Sequence, residues 1–237
     1  MDLYDIIKKM NKGKYKPEKE EEALIKKFYD LGIVNKNKDK QGNDIYKINK
    51  NIEIKEIDMY RYKIKIYPQI KYAGLFFNDD SNLLNCKSNN KIRNDNFHCT
   101  IAMSPKDEYL KNINLGNNYD VNIQGRGYDD ENEGFKILIP EEIEKIYKNK
   151  NTPHITLGTS ENGKPFNTGK LDFNQDEKGN LTGKLGVYTD FGIFYDYNKL
   201  KNTNKTVKVE QKADEIALKV ENNKNVTKVD ETKKMLK

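Results

Sequence analysis

Two short stretches of the chain determine its fold and its chemistry: Phe97-His98-Cys99-Thr100-Ile101 and Pro153-His154-Ile155-Thr156-Leu157. Each contains a histidine followed two residues later by a threonine, with apolar residues on either side. The chain has 2 histidines, so the pattern takes up both of them. Polar and apolar residues that alternate are typical of a β-strand, in which residues two apart project from one face. Each stretch therefore predicts a strand that presents an imidazole beside a hydroxyl.

This pairing of side chains suits phosphoryl chemistry. Cleaving a phosphodiester without a metal requires one group that takes a proton from the attacking oxygen and another that protonates the leaving oxygen. Histidine fits both roles because its unperturbed pKa is about 6.5. Threonine hydroxyls can donate hydrogen bonds to the phosphate. For either histidine alone, an ordinary hydrogen bond on a strand is the simpler interpretation, but the matched pair favours catalysis.

A zinc site formed by Cys86, His98, Cys99 and His154 is the competing chemical interpretation. The two cysteines lack the close pairing of structural zinc sites, and adjacent residues of a strand point to opposite faces. We therefore predict no metal and no cofactor. Cys99 is interpreted as a small buried side chain beneath the site rather than a nucleophile.

The two motifs resemble those of the 2H phosphoesterases, in particular the 2′,3′-cyclic-nucleotide 3′-phosphodiesterases. The resemblance extends to Gly158 and to Asn167-Thr168-Gly169, which follow the second motif in the chain. The resemblance covers about residues 67–200. It implies an α+β, bilobal fold in which two small antiparallel sheets face each other across a catalytic cleft. The sequence departs from the family in the short polar segment before His98, where relatives often have helices.

The resemblance also implies a reaction and residue roles. The reaction would be metal-independent hydrolysis of a 2′,3′-cyclic phosphate, on RNA ends or cyclic mononucleotides, to a 2′-phosphate. His154 would activate water as the base, His98 would protonate the leaving oxygen, and Thr100 and Thr156 would hold the phosphate. The residues alone do not say which histidine is the acid.

Two other functions remain open at this point. The same site could open 3′,5′- or 2′,5′-linkages in signalling nucleotides, as phage-encoded members of the superfamily do. The chain could instead be a catalytically idle RNA-binding module. The expected partner is in each case a nucleotide or an RNA end.

Four further residues are candidates for substrate contacts. Tyr72, Tyr128 and Tyr195 could each supply a ring on which a nucleobase stacks, although core or rim positions are the commoner explanation. Arg126, between two glycines, could be carried on a lid that closes over phosphate, but a glycine-flanked hairpin turn is the ordinary interpretation.

Hydrophobic periodicity divides the chain into three parts. Residues 1–58 predict a helical cap with a hairpin that could be a wing, residues 59–200 the phosphoesterase domain, and residues 201–237 a Lys- and Asn-rich, mostly disordered tail. The strands expected in the central part are 59–66, 72–77, 97–103, 119–123, 134–139, 154–157, 170–173, 181–188 and 191–197, with a helix from Pro140 to about Lys148.

Composition limits the setting of the protein. The chain of 237 residues carries 43 basic and 37 acidic side chains, and the net charge of +6 is too small for a general nucleic-acid coat. No stretch has the eighteen or so apolar residues of a membrane helix, and the N-terminus is too polar for a signal peptide. With 2 cysteines, nothing demands an oxidising compartment. We expect a cytoplasmic protein that does not enter a membrane.

Overall fold

The computed structural model describes residues 3–12, 15–58, 60–77, 83, 92–93, 96–212 and 215–222. The chain forms two compact units. The terminal unit combines Met1–Pro68 with Lys201–Lys237, and the central unit is Gln69–Leu200. Both histidine motifs belong to the central unit.

The terminal unit contains two helices and two antiparallel sheets. Its elements are α1 (Leu3–Asn11), α2 (Glu22–Asp30), β1 (Val34–Lys38), β2 (Asp44–Ile48), β3 (Ile52–Asp58), β4 (Arg61–Ile66), β13 (Lys205–Lys212) and β14 (Glu215–Asn222). Strands β1 and β2 form a hairpin, and the other four strands form a sheet in the order β14-β13-β4-β3. The helices bury the apolar side chains that predicted them, and Gly32 ends α2 with a φ of 72°. Both helices and the hairpin are therefore confirmed.

The part of the tail that the structure describes differs from the sequence expectation. Residues 205–212 and 215–222 are strands rather than a disordered segment with a weak helical pattern. Val207 and Val209 are buried on either side of the exposed Lys208, which is the period of a strand. Strand β13 pairs with β4, more than a hundred residues earlier in the chain, so the partner that orders it could not be seen locally. Residues 223–237 lie outside the described part.

The central unit is built on one antiparallel sheet whose strands differ in length. Its elements are β5 (Ile70–Phe76), β6 (Ile92–Arg93), β7 (His98–Met103), α3 (Asp107–Lys111), β8 (Asn118–Tyr128), β9 (Asn132–Leu138), α4 (Glu141–Glu144), β10 (His154–Thr159), a 3₁₀ helix (Pro165–Lys170), β11 (Gly179–Thr189), β12 (Gly192–Phe194) and α5 (Tyr197–Asn202), which continues past the unit boundary. The sheet has 8 strands in the order β6-β10-β9-β8-β11-β5-β7, and β12 pairs with β11.

Strands from opposite ends of this order also meet. β10 contacts β7, so the sheet is nearly closed, like a barrel. One face carries the hydrophobic core, which includes Leu75, Cys99, Ile101, Ile155 and Leu157. The α+β class is confirmed. The expected division into two small facing sheets is not confirmed, because both motif strands belong to this one sheet.

Four expected elements of the central unit differ from the structure. The expected strand 191–197 is confined to Gly192–Phe194, and Tyr197 begins a helix. Gly125-Arg126-Gly127 lies within β8 rather than in a turn, and carbonyl groups of Phe173 and Gln175 approach Gly125 where a side chain would otherwise project. The helix after Pro140 ends at Glu144. The stretch 170–173 is not a strand, because the 3₁₀ helix runs to Lys170.

Candidate active site

The fold brings the two histidine motifs together. His98 begins β7 and His154 begins β10, and these strands contact each other. Three hydrogen bonds connect the first motif strand, β7, to the second motif and to the chain just before it. The Lys148 N–H donates to the Ile101 carbonyl at 2.9 Å, the Asn149 side chain donates to the Thr100 carbonyl at 3.2 Å, and the His154 N–H donates to the Cys99 sulfur.

Both imidazoles are held in the same way. The Nδ1 of His98 lies 2.8 Å from the Asn96 carbonyl, and the Nδ1 of His154 lies 2.7 Å from the Thr152 carbonyl. In each case the carbonyl belongs to the residue two positions earlier. A carbonyl only accepts hydrogen bonds, so each Nδ1 carries the proton and, in the neutral ring, Nε2 is the basic nitrogen. Two rings with the same tautomer therefore offer the same nitrogen for proton transfer.

Burial changes the acidity of both rings. It lowers the pKa of His98 below 6.5, the Asn96 carbonyl opposes this shift, and the charge of His154 adds to it. Burial also lowers the pKa of His154, against the opposing effect of the carbonyls of Thr152 and Pro165. The two imidazoles are therefore close enough to sense each other's charge. With both pKa values below 6.5, both rings are mainly neutral at pH 7.

The two threonines differ in their hydrogen bonds. The Thr156 hydroxyl is buried, lies 3.1 Å from the Thr168 hydroxyl and donates to the Pro165 carbonyl at 3.3 Å. The Thr100 hydroxyl is half-buried and forms no hydrogen bond within the described part of the chain. Thr100 is therefore the donor that a phosphate oxygen can engage without breaking an existing bond.

Glycines make the second motif possible. A Cβ at Gly169 would lie 2.7 Å from both Cε1 and Nδ1 of His154, so the 3₁₀ helix can pass the imidazole only with glycine there. Gly134 of β9 pairs with Thr156, and a Cβ at this position would lie 2.4 Å from the Thr168 methyl group. The absence of a side chain at Gly134 lets Thr168 reach Thr156.

The imidazole of His98 lies against a cluster of aromatic rings. Tyr72 stacks on its imidazole with the ring centroids 4.7 Å apart and an angle of 22° between the planes. Tyr188 stacks on Tyr72 at 5.1 Å, and Phe76 lies 6.0 Å from His98. Tyr195 meets Phe76 edge-on at 6.2 Å. We call Tyr72, Phe76, Tyr188 and Tyr195 the aromatic wall.

The other two sequence candidates lie elsewhere. Tyr128 is 52% exposed at the end of β8, where it pairs with Glu133. Arg126 does not extend from a mobile loop, because its Nε donates to the fully buried Glu133 at 2.9 Å and its guanidinium also reaches Glu177 at 3.5 Å. Within the described residues Arg126 thus neutralises a buried carboxylate, and its role as a lid over phosphate stays a prediction that this contact does not favour.

Cys99 has no nucleophilic character in this setting. It is fully buried on the core side of β7, and burial raises the pKa of its thiol to about 12. The thiolate is the reactive form, so this cysteine is inert near neutral pH. Cys86 and the polar segment before His98 lie largely outside the described residues. Among the residues that are described, no three His, Cys, Asp or Glu side chains gather as metal ligands.

Sequence reasoning missed part of this site. Thr168 stands in the quoted Asn167-Thr168-Gly169, but no spacing rule linked its hydroxyl to Thr156. Tyr188 had only the alternation of its strand as a signal, and Phe76 had no signal beyond its place in the expected strand 72–77. Pairing between strands far apart in sequence brings these side chains to the histidines.

Comparison with known proteins adds no relative. No protein-family model matches the chain, and no curated protein matches it. In the described ranges, no helix is both long enough and apolar enough to cross a membrane.

Proposed function

We propose that this protein is a 2H-type phosphodiesterase that hydrolyses 2′,3′-cyclic phosphates to 2′-phosphates. One observation carries the proposal: two His-X-Thr motifs lie on contacting strands, with both imidazoles fixed in the same tautomer. A single histidine on a strand has many structural explanations. Two that are buried or half-buried, neutral and within electrostatic reach of each other are the arrangement that acid–base catalysis needs.

An internal similarity between the two halves of the sheet supports the same conclusion. In one half, Thr100 of β7 pairs with Gly74 of β5. In the other half, Thr156 of β10 pairs with Gly134 of β9. Each motif thus combines a histidine that donates to the carbonyl two residues earlier with a threonine that faces a glycine. This similarity supports interpreting β7-β5-β11 and β8-β9-β10, two halves of one sheet, in terms of the two lobes that the resemblance implies.

The reaction follows from these groups. One histidine takes a proton from water through Nε2 as the water oxygen attacks phosphorus. The other, as imidazolium, gives a proton to O3′ while the P–O3′ bond breaks. A 2′-phosphate and a free 3′-hydroxyl result, and the two histidines have exchanged protonation states. Thr100 and Thr156 donate hydrogen bonds to the phosphate oxygens that gain charge.

The surroundings of the rings favour one order of roles. Carbonyls of Thr152 and Pro165 both stabilise a proton on His154, whereas only the Asn96 carbonyl stabilises one on His98. The resting proton therefore prefers His154, which supports His98 as the base and His154 as the acid. This order is the reverse of the one that the family resemblance implies.

Turnover of 2′,3′-cyclic AMP in EDTA tests the proposal. We expect hydrolysis to 2′-AMP by the parent, and losses of about 10² to 10⁴ in kcat/KM for His98→Ala and for His154→Ala. Met103→Ala is the matched control, since Met103 is 64% exposed at the far end of the same strand as His98. It should keep the parent's rate. Hydrolysis that survives both histidine substitutions would refute the assignment.

The same assay separates the other functions. A 2′,3′-cyclic-phosphate oligonucleotide and cyclic GMP-AMP are compared with the mononucleotide. Selective cleavage of cyclic GMP-AMP would replace the proposal with cleavage of signalling nucleotides. Binding of all three without turnover by the parent would replace it with a binding module.

A further inference from the structure

The four-stranded sheet of the terminal unit carries an unusual row of charge. Lys55 of β3 pairs with Lys63 of β4, Lys63 pairs with Lys208 of β13, and Lys208 pairs with Lys219 of β14. One lysine from each strand thus stands in a single line across the sheet. We call these four residues the lysine row.

The row lies on the open face of the sheet. Lys55, Lys208 and Lys219 are exposed and Lys63 is half-buried, whereas Ile64 and Val207 on the other face are fully buried. Paired residues on neighbouring strands project on the same side, so the four ammonium groups share one surface. Like charges directly opposite each other destabilise a sheet, and this row contains three such pairs in succession. Folding alone gives no reason for it.

The carboxylates nearby cancel only part of this charge. Lys208 forms an ion pair with Glu221 at 2.8 Å, but Lys55, Lys63 and Lys219 form none among the described residues. Neighbouring positions of the face carry acids on both sides of the row. The line at one side holds Glu53, Lys65 and Glu221, and the line at the other holds Asp58, Arg61 and Glu210. In each line one basic residue pairs with one of the two acids, so one acid remains in excess. The positive charge is therefore a line, not a patch.

A line of charge selects its ligand. Neighbouring strands are about 4.8 Å apart, so four lysines span about 14 Å, the length of a few nucleotides of extended chain. The acidic side chains stand about 7 Å to either side, two residues along each strand. A planar anionic membrane or the broad backbone of a duplex would meet these acids as well. A single strand laid along the row meets only the lysines.

We propose that the lysine row binds the sugar-phosphate backbone of single-stranded RNA, independently of base sequence. No side chain of the row or of the two flanking lines is aromatic, so affinity comes from phosphate contacts rather than base stacking. The choice of RNA over DNA rests on the proposed function, in which RNA ends are substrates. The attraction for a linear polyanion does not depend on it.

The test is fluorescence anisotropy with a labelled 12-nucleotide oligo-U that ends in a 3′-hydroxyl. This RNA has no cyclic phosphate, so binding is measured whether or not the protein is a phosphodiesterase. With three to four phosphates neutralised, log K should fall against log salt with a slope of about −2 to −3. Lys55→Gln/Lys63→Gln in the full chain should reduce the slope by about 1.4 and weaken binding at 50 mM salt by roughly tenfold or more.

The matched control is Lys27→Gln/Lys47→Gln. It removes the same charge from exposed positions of α2 and β2 in the same unit, and it should retain the parent's affinity and slope. The row variant should melt at the parent's temperature or above, because it removes repulsion between like charges, so weaker binding would not reflect unfolding. Equal weakening by both variants, no weakening by the row variant, or preference for anionic vesicles over oligo-U would each overturn the proposal.

Discussion

Arg126 gives the sharpest test of how the central unit is held together. Its guanidinium donates to Glu133, whose side chain is 0% exposed, while the arginine side chain itself is 16% exposed. Removing one partner of a buried ion pair leaves a charge without compensation and costs about 3 to 5 kcal/mol. We therefore expect Arg126→Met to lower the free energy of unfolding by about that amount. At about 2 to 4 °C per kcal/mol, the corresponding fall in melting temperature is roughly 6 to 20 °C.

Urea unfolding followed by far-UV circular dichroism measures the effect. Glu177→Gln is the control, since Glu177 is 39% exposed and its contact with Arg126 is 3.5 Å long, so its loss should cost about 1 kcal/mol at most. Adding Glu133→Gln to Arg126→Met should recover part of the stability, because the uncompensated charge is then gone. A destabilisation below about 1 kcal/mol for Arg126→Met would refute the reasoning. Lost turnover at unchanged stability would support the lid interpretation.

Three further predictions concern the histidines. The rate against pH should be bell-shaped with its maximum below about pH 6.5, because burial lowers both histidine pKa values; a flat profile between about pH 5 and 8 would contradict the two-histidine mechanism. The variant that loses the acidic limb of the profile identifies the base, which we expect to be His98→Ala. Tyr72→Phe should keep the stacked ring and a rate–pH profile close to the parent's. Tyr72→Leu should lower kcat and shift one limb of the rate–pH profile. Equal rate–pH profiles for the two variants would show that the stacking has no influence on His98. Gly169→Ala should displace the His154 imidazole, which a Cβ would approach to 2.7 Å, and lower kcat/KM without a matching loss of stability.

The histidine pair also sets the direction of a stability change with pH. A lowered pKa in the folded protein means that the unfolded chain binds protons more readily. The contribution of each histidine to stability is therefore complete above about pH 6.5 and is lost as the pH falls through the folded pKa values.

Local patterns predicted much of the fold. The helices α1 and α2, the β1-β2 hairpin and the strands that carry His98 and His154 follow from side-chain periods of 3.6 and 2, which each segment displays by itself. Where local signals conflicted, prediction was wrong. The glycines around Arg126 indicate a turn, yet β8 continues through them. These positions are glycine because a neighbouring segment of the chain passes too close to leave room for a side chain. The lysines of the last part of the chain indicate disorder, yet β13 is ordered by pairing with β4.

The sequence by itself determined the chemistry that the protein can offer: two imidazoles, each with a hydroxyl two residues away on the same face of a strand. Only the tertiary structure decided that the two motifs meet, that Tyr72 stacks on one imidazole, that Thr168 joins Thr156 and that Arg126 neutralises Glu133. It also decided that four lysines from two distant segments form one row. The physical reason is that a side chain's own strand fixes which face it occupies, whereas its neighbours come from strand pairing and chain closure between residues that share no local signal.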